Sequence, residues 1–124
     1  MGAAPTPPSE GALLLEREAR AGVLVLTVAV PQIDNTNADG LTAALAEAAS
    51  GTPQPRVVLN LERVGYLSSA ALGLFIAYQQ KLAREGGKLR LCGLQPDIAQ
   101  VFRVTKLVRS FDIRPDLKSA LEAF

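Results

Sequence analysis

The stretch Val57-Val58-Leu59-Asn60-Leu61-Glu62-Arg63-Val64-Gly65-Tyr66-Leu67-Ser68-Ser69-Ala70-Ala71-Leu72-Gly73 decides how this chain folds. Its first five residues form an almost unbroken apolar run, the pattern of a central strand covered on both faces. A short loop leads to two serines, after which the apolar spacing becomes helical. Leu72, Phe75, Ile76, Leu82 and Ala83 are the predicted core side of a helix opened by Ser68 and stopped by Gly86-Gly87. A second apolar run, Lys88–Cys92, follows at once. Strand, crossover helix and strand within roughly 35 residues make a right-handed βαβ unit with two parallel strands.

On the N-terminal side, Leu13 to Arg17 and Val23 to Val30 predict two strands of a hairpin, with Glu18-Ala19-Arg20-Ala21-Gly22 between them. Pro31 to Asn37 is polar and turn-forming, and Asn35, Thr36 and Asn37 are candidate caps for the helix that follows. Leu41, Ala44, Leu45 and Ala48 mark that helix's buried face, and Gly51 and Pro53 its end. On the C-terminal side, Pro96 suits a first helical position, and Ile98, Val101 and Phe102 form an apolar stripe. Phe111 to Ile113 suggests a short edge strand. Leu117, Ala120, Leu121 and Phe124 predict a last helix capped by Asp116. The expected fold is α/β, a mixed four- to five-stranded sheet with about four helices packed against it.

A chain of 124 residues, 48% of them hydrophobic, has enough material for one core and too little for two. The domain is expected to span residues 12–124. Residues 1–11, rich in Pro and Ala, read as a disordered lead. With 13 Lys and Arg against 12 Asp and Glu, the net charge of +1 sets up no long-range field for nucleic acid or an anionic membrane, so neither is an expected partner. No apolar stretch approaches the roughly 18 residues of a membrane span. The lone Cys92 lies in an apolar run, which fits a reducing compartment, and the expected location is the cytoplasm.

Histidine is absent, so neither a Ser-His-Asp triad nor a His-based metal site can be built. One cysteine without histidine has no base to activate it and cannot form a thiolate metal cage. No glycine-rich phosphate loop is present. Asp34, Asp39, Glu62, Asp97 and Asp116 fall in turns or near helix starts, where capping or solvation explains a carboxylate, and none is assigned to catalysis. No cofactor and no enzymatic activity are expected. Arg103, Lys106, Arg109, Arg114 and Lys118 form a basic tract with only Phe111 interleaved, which reads as a solvated face. Chemistry alone explains the two serines as well, Ser68 as the N-cap and Ser69 as the exposed first helical residue, with no function needed, but a second reading is open to them. They sit at a helix mouth, where unpaired backbone N–H groups and the positive dipole end favour a negative charge such as a phosphate.

Taken in order, Val57 to Gly73, Lys81 to Leu91 and Val101 to Leu107 resemble the STAS domain family, which contains bacterial anti-sigma-factor antagonists. The likeness spans nearly everything from Leu13 to Phe124, including the Ile33-Asp34 turn. It implies that Ser69 is the serine phosphorylated by a kinase-type anti-sigma factor, which the unmodified protein binds and from which phosphorylation releases it. A serine phosphatase is a further candidate partner. The resemblance also implies a partner-binding set of Asp34, Asn35, Thr36, Ser68, Ser69, Ala71, Leu74 and Tyr78, with Leu74 and Tyr78 expected off the core face of the second helix. Two positions depart from the family pattern: Ser68 stands where many members carry Asp, and Ala71 where Gly is usual, so that its methyl would restrict the approach of a partner's backbone. The alternative reading is a non-phosphorylated scaffold or accessory subunit of a signalling or transport complex.

Overall fold

The computed structural model describes residues 14–122, so the predicted lead over 1–11 lies outside the described residues, as does Phe124. The hairpin forms with a tighter turn than its composition suggests. β1 (Leu15–Arg20) runs on past Arg17 and pairs antiparallel with β2 (Val23–Val28), Leu15 opposite Val28 and Arg20 opposite Val23. Only Ala21 and Gly22 turn, with φ of 51° and 80°. Two successive positive φ values are the signature of the two-residue connection whose twist matches that of the strands it joins. Glu18, Ala19 and Arg20 look like loop because β1 is an edge strand, exposed along all but its first residue, where charged side chains guard against pairing with other chains.

β4 (Arg56–Asn60) is the central strand, parallel to β2 on one side and to β6 (Lys88–Cys92) on the other, with Leu59 opposite both Leu26 and Leu91. β7 (Asp112–Arg114) adds a parallel edge beyond β6, giving a five-stranded mixed sheet in the order β1-β2-β4-β6-β7. Side-chain alternation splits this sheet between two cores. Leu26, Val57, Leu59, Leu89 and Leu91 face the larger one, closed by Leu41 and Leu45 of α1 (Ala38–Ala49), Phe75 and Leu82 of α2 (Ser69–Arg84) and Ile98 and Phe102 of α3 (Pro96–Val104). Phe102 meets Phe111 edge to face at 5.7 Å. On the other face, Val23, Val58 and Cys92 pack against Ala120 of the short α4 (Leu117–Leu121), which is capped by Asp116 accepting from the Ser119 N–H at 2.8 Å.

Gly86 and Gly87 end α2 as the sequence predicts. The Gly87 N–H donates to the Leu82 carbonyl at 2.7 Å and the Gly86 N–H to that of Ala83 at 3.1 Å, with Gly86 at φ 74°. This paired arrangement satisfies the helix's last carbonyls and needs a residue that accepts positive φ. Gly87 has a second reason to be glycine: a Cβ there would lie 2.3 Å from the Pro55 carbonyl oxygen.

Cys92 is fully buried, and burial pushes its thiol up to about 11, with Glu62 adding to the shift. The native protein should therefore react negligibly with a thiol-specific disulfide reagent at pH 8, and stoichiometrically once unfolded. Rapid native labelling would contradict the second core. Among the described residues, no helix is long and apolar enough to cross a membrane.

Candidate functional site

The site is assembled by a two-stranded ladder that the sequence did not announce. β3 (Gln32–Ile33) runs parallel to β5 (Tyr66–Leu67), Gln32 opposite Tyr66 and Ile33 opposite Leu67. The Gly65 N–H donates to the Pro31 carbonyl at 2.8 Å and the Ser68 N–H to that of Ile33 at 2.9 Å. Ile33 and Leu67, both buried, fasten the ladder to the larger core. The turn after β3 and the mouth of α2 after β5 are thereby held side by side.

Ser68 caps α2 as predicted: its Oγ accepts from the Ala71 N–H at 3.3 Å, and its backbone is extended. Asp, common at this position in the family that the sequence resembles, caps a helix equally well, so serine keeps the cap and gives up only the charge. Ser69 is the first helical residue and is exposed, as are Ala70 and Gly73 beyond it. A 16-residue helix thus presents a solvent-facing hydroxyl beside its unpaired N-terminal amides. Ser68→Ala should cost about 1 kcal/mol of stability by removing the cap, while Ser68→Asp should cost little. Urea unfolding of the two variants checks this, and equal losses would show that the cap contributes nothing.

The neighbouring turn is internally braced. The Asp34 carboxylate accepts from the Thr36 N–H at 2.9 Å, from the Thr36 hydroxyl, and from Gln32 Nε2 at 2.7 Å. These bonds to the charged form, the Thr36 hydroxyl's first among them, hold Asp34 below the usual carboxylate range. Asn37 occupies the cap position of α1 but makes no side-chain cap bond. Its amide instead accepts from the Asp34 N–H at 3.0 Å and donates to the Gln32 carbonyl at 2.9 Å, closing the turn backwards onto β3. Asn35 and Thr36 are exposed at its tip, and Asp34 is half-buried.

Three members of the predicted contact set are placed differently. Ala71 is fully buried, Leu74 is 8% exposed and Tyr78 5%. The buried stripe of α2 is Ala71, Leu74, Phe75, Tyr78 and Leu82, while Leu72 and Ile76 are half-buried and Ala83 is exposed. The physical reason is that α2 packs against α1 as well as against the sheet: Leu74 and Tyr78 line the seam with Thr42, Leu45 and Ala46 of α1. Burial pushes the Tyr78 phenol well above its usual range. The Ala71 methyl fills the core rather than restricting a partner. Conversely, Tyr66 is 55% exposed on β5, two residues before Ser68, and was not singled out from the sequence. A large aromatic in a short polar loop was the available signal.

Among the described residues, no group of His, Cys, Asp or Glu could hold a metal ion. What stands out is an exposed serine, an exposed tyrosine and a hydrogen-bonded turn, joined by the β3–β5 ladder.

Comparison with known proteins identifies the family and the fold. The family model of the STAS domain matches residues 15–120. BtrV of Bordetella bronchiseptica, named as an anti-sigma factor antagonist, is 34% identical over 92 residues, covering 74% of this chain and 78% of that protein. An anti-sigma factor antagonist from Mycobacterium paratuberculosis superposes with a TM-score of 0.78 at 28% identity, covering 88% of this chain and 91% of that one. Bacillus SpoIIAA, solved in its phosphorylated form, shares the fold with a TM-score of 0.62 at 18% identity over 84% of this chain and 94% of its own. With its family model matched from β1 to the last helix, and with the five-stranded sheet and serine-capped helix in place, this chain belongs to the STAS domain family.

Proposed function

We propose that this protein is an anti-sigma factor antagonist that binds a kinase-type anti-sigma factor and is switched off by phosphorylation of Ser69. The observation that carries the proposal is the exposed Ser69 hydroxyl at the start of a long, well-capped helix. The relatives named as antagonists support the partner class, and SpoIIAA, solved in a phosphorylated form, supports the kind of switch. A phosphate adds about −1.5 to −2 charges at pH 7. Facing solvent it is stabilised by the helix N-terminus, by roughly 0.3–1 kcal/mol. Against a partner that has displaced water it is an unpaired buried charge. The same modification therefore leaves the fold intact and ends the complex.

The surface that meets the partner comprises Ser69 with Ala70 and Gly73, the turn tip Asn35-Thr36, and Tyr66. Ser68 acts through the helix cap and Asp34 through the turn it braces. Incubation with the cognate anti-sigma kinase and ATP should place one phosphate on Ser69 and none on the Ser69→Ala variant, as read by peptide mass spectrometry. Phosphate on another residue, or none, would refute the assignment. A constitutive scaffold would instead keep its partner when Ser69 is replaced by Asp.

A further inference from the structure

The connection from α3 to β7 carries a second surface. α3 ends at Val104, and a short 3-10 turn (Leu107–Arg109) leads into β7. Val104 is 69% exposed and Val108 42%, two of the three large apolar residues that stand out of this surface among the described residues, the third being Tyr66 at the site above. Beside them is a pocket of about 420 Å³ lined by Leu94, Ala99, Phe102, Val108, Phe111 and Ile113, with Arg103 and Asp112 at its polar side. Arg103, Lys106 and Arg109 are exposed around it. None of the three is ion-paired among the described residues, whereas the one carboxylate of the pocket, Asp112, is already taken by Arg90 at 2.8 Å and Arg114 at 2.7 Å. Within the basic tract of the sequence, Arg114 neutralises a neighbour, Lys118 lies apart on α4, and Arg103, Lys106 and Arg109 are exposed beside apolar surface with no ion pair among the described residues.

We infer that this surface docks an acidic, apolar segment of a partner protein, its carboxylates meeting Arg103, Lys106 and Arg109 and an apolar side chain entering the pocket beside Val108. Charge complementarity selects the occupant. Three cations without an ion pair, Arg103 donating only to the neutral Gln100 Oε1 at 2.7 Å, call for anions, and the apolar lining calls for a segment that alternates carboxylates with aliphatic or aromatic side chains. Nucleic acid is disfavoured because the only aromatic rings here, Phe102 and Phe111, are buried against each other and offer no stacking face. An anionic membrane is disfavoured because Val104 and Val108 are two short exposed side chains, which offer little apolar area to bury in a bilayer interface. Lys106 adds a detail of its own. It holds the left-handed conformation at φ 63°, which glycine adopts freely, yet a cation stands there.

This surface is separate from Ser69. Ser110 in the connection accepts from Gln79 of α2, ten residues and about 15 Å along the helix from its start.

Fluorescence anisotropy of the full chain with a labelled peptide alternating Asp and Glu with Leu and Phe tests the inference. Saturable binding that weakens steeply with salt is expected, at least about 10-fold tighter than for a peptide in which Ser replaces every Leu and Phe. Arg103→Gln combined with Arg109→Gln, and separately Lys106→Gly, should each weaken it several-fold. Lys106→Gly keeps the backbone conformation, and an unchanged thermal melt confirms that the fold survives. Ser69→Glu should bind the peptide like the parent protein. Equal affinity for the two peptides, no effect of the three cation substitutions, or preferential binding to phosphatidylserine vesicles or an oligonucleotide would overturn the inference.

Discussion

Replacing Phe75 with alanine should destabilise the protein by about 3–5 kcal/mol, the range for truncating a fully buried aromatic. Phe75 is 0% exposed at the middle of the α2 stripe, in the core shared by the sheet and by α1. Its loss leaves a cavity that the flanking Leu74 and Tyr78 cannot fill without abandoning the seam with α1. A domain of this size has only about 5–15 kcal/mol in hand. The thermal midpoint should fall by more than about 10 °C. Partner binding should decline in step with the folded fraction, unlike the effect of an acidic residue at Ser69, which should weaken binding and leave the midpoint in place. Differential scanning calorimetry separates the two. A Phe75→Ala protein that melts with the parent would mean that α2 is not seated as described.

The second large effect is expected at Arg90, a side chain that only the three-dimensional structure identifies as important. Arg90 is 8% exposed on the α4 face of β6. Its guanidinium donates to the Ala120 carbonyl at 2.9 Å, the Glu122 carbonyl at 2.7 Å and the Asp112 carboxylate at 2.8 Å. A single cation thus ties β6 to β7 and satisfies the carbonyls at the end of α4, the end of a helix where positive charge is favoured. Hydrogen bonds to charged groups contribute roughly 1.5–3 kcal/mol each, but those lost at an open edge are partly replaced by water. Arg90→Met, which keeps the apolar stem, should cost about 2–3 kcal/mol. Asp112 and Arg114 keep their own pair. Hydrogen exchange should show α4 losing protection before the sheet does, and uniform loss across the domain would contradict a local latch.

The pattern that could be read from the chain is the one set by contacts near in sequence. The apolar run Val57 to Leu61 became the central strand because a strand covered on both faces has no polar side to show. Gly86-Gly87, Pro96 and Asp116 each ended or opened a helix where their backbone chemistry requires it. Asn37 takes the cap position of α1, as expected, but its amide bonds within the turn rather than to the helix. β3 and β5 were hidden because two residues carry no periodicity, and their pairing brings together parts of the chain more than thirty residues apart.

Helix α2 is the more instructive case. Leu72, Leu74, Phe75, Ile76, Ala77 and Tyr78 make it apolar almost all round, so the sequence could place Phe75 in the core but could not tell which flank turns inward. Packing against α1 settled that in favour of Leu74 and Tyr78. Of the predicted contact residues, Ser69, Asn35 and Thr36 are exposed as the reading needs, Ser68 and Asp34 work through local hydrogen bonds, and Ala71, Leu74 and Tyr78 belong to the core. Exposure depends on neighbours that only the assembled fold supplies.

The proposed switch rests on a charge placed on one hydroxyl without change to the fold. Titration calorimetry of the anti-sigma factor into unmodified protein and into protein phosphorylated at Ser69, with the thermal midpoint of each recorded, measures this directly. The account predicts that phosphate weakens the complex by about 100-fold or more, roughly 3 kcal/mol, at an unchanged midpoint. Equal affinities, or a loss of binding that appears only together with a lowered midpoint, would contradict it.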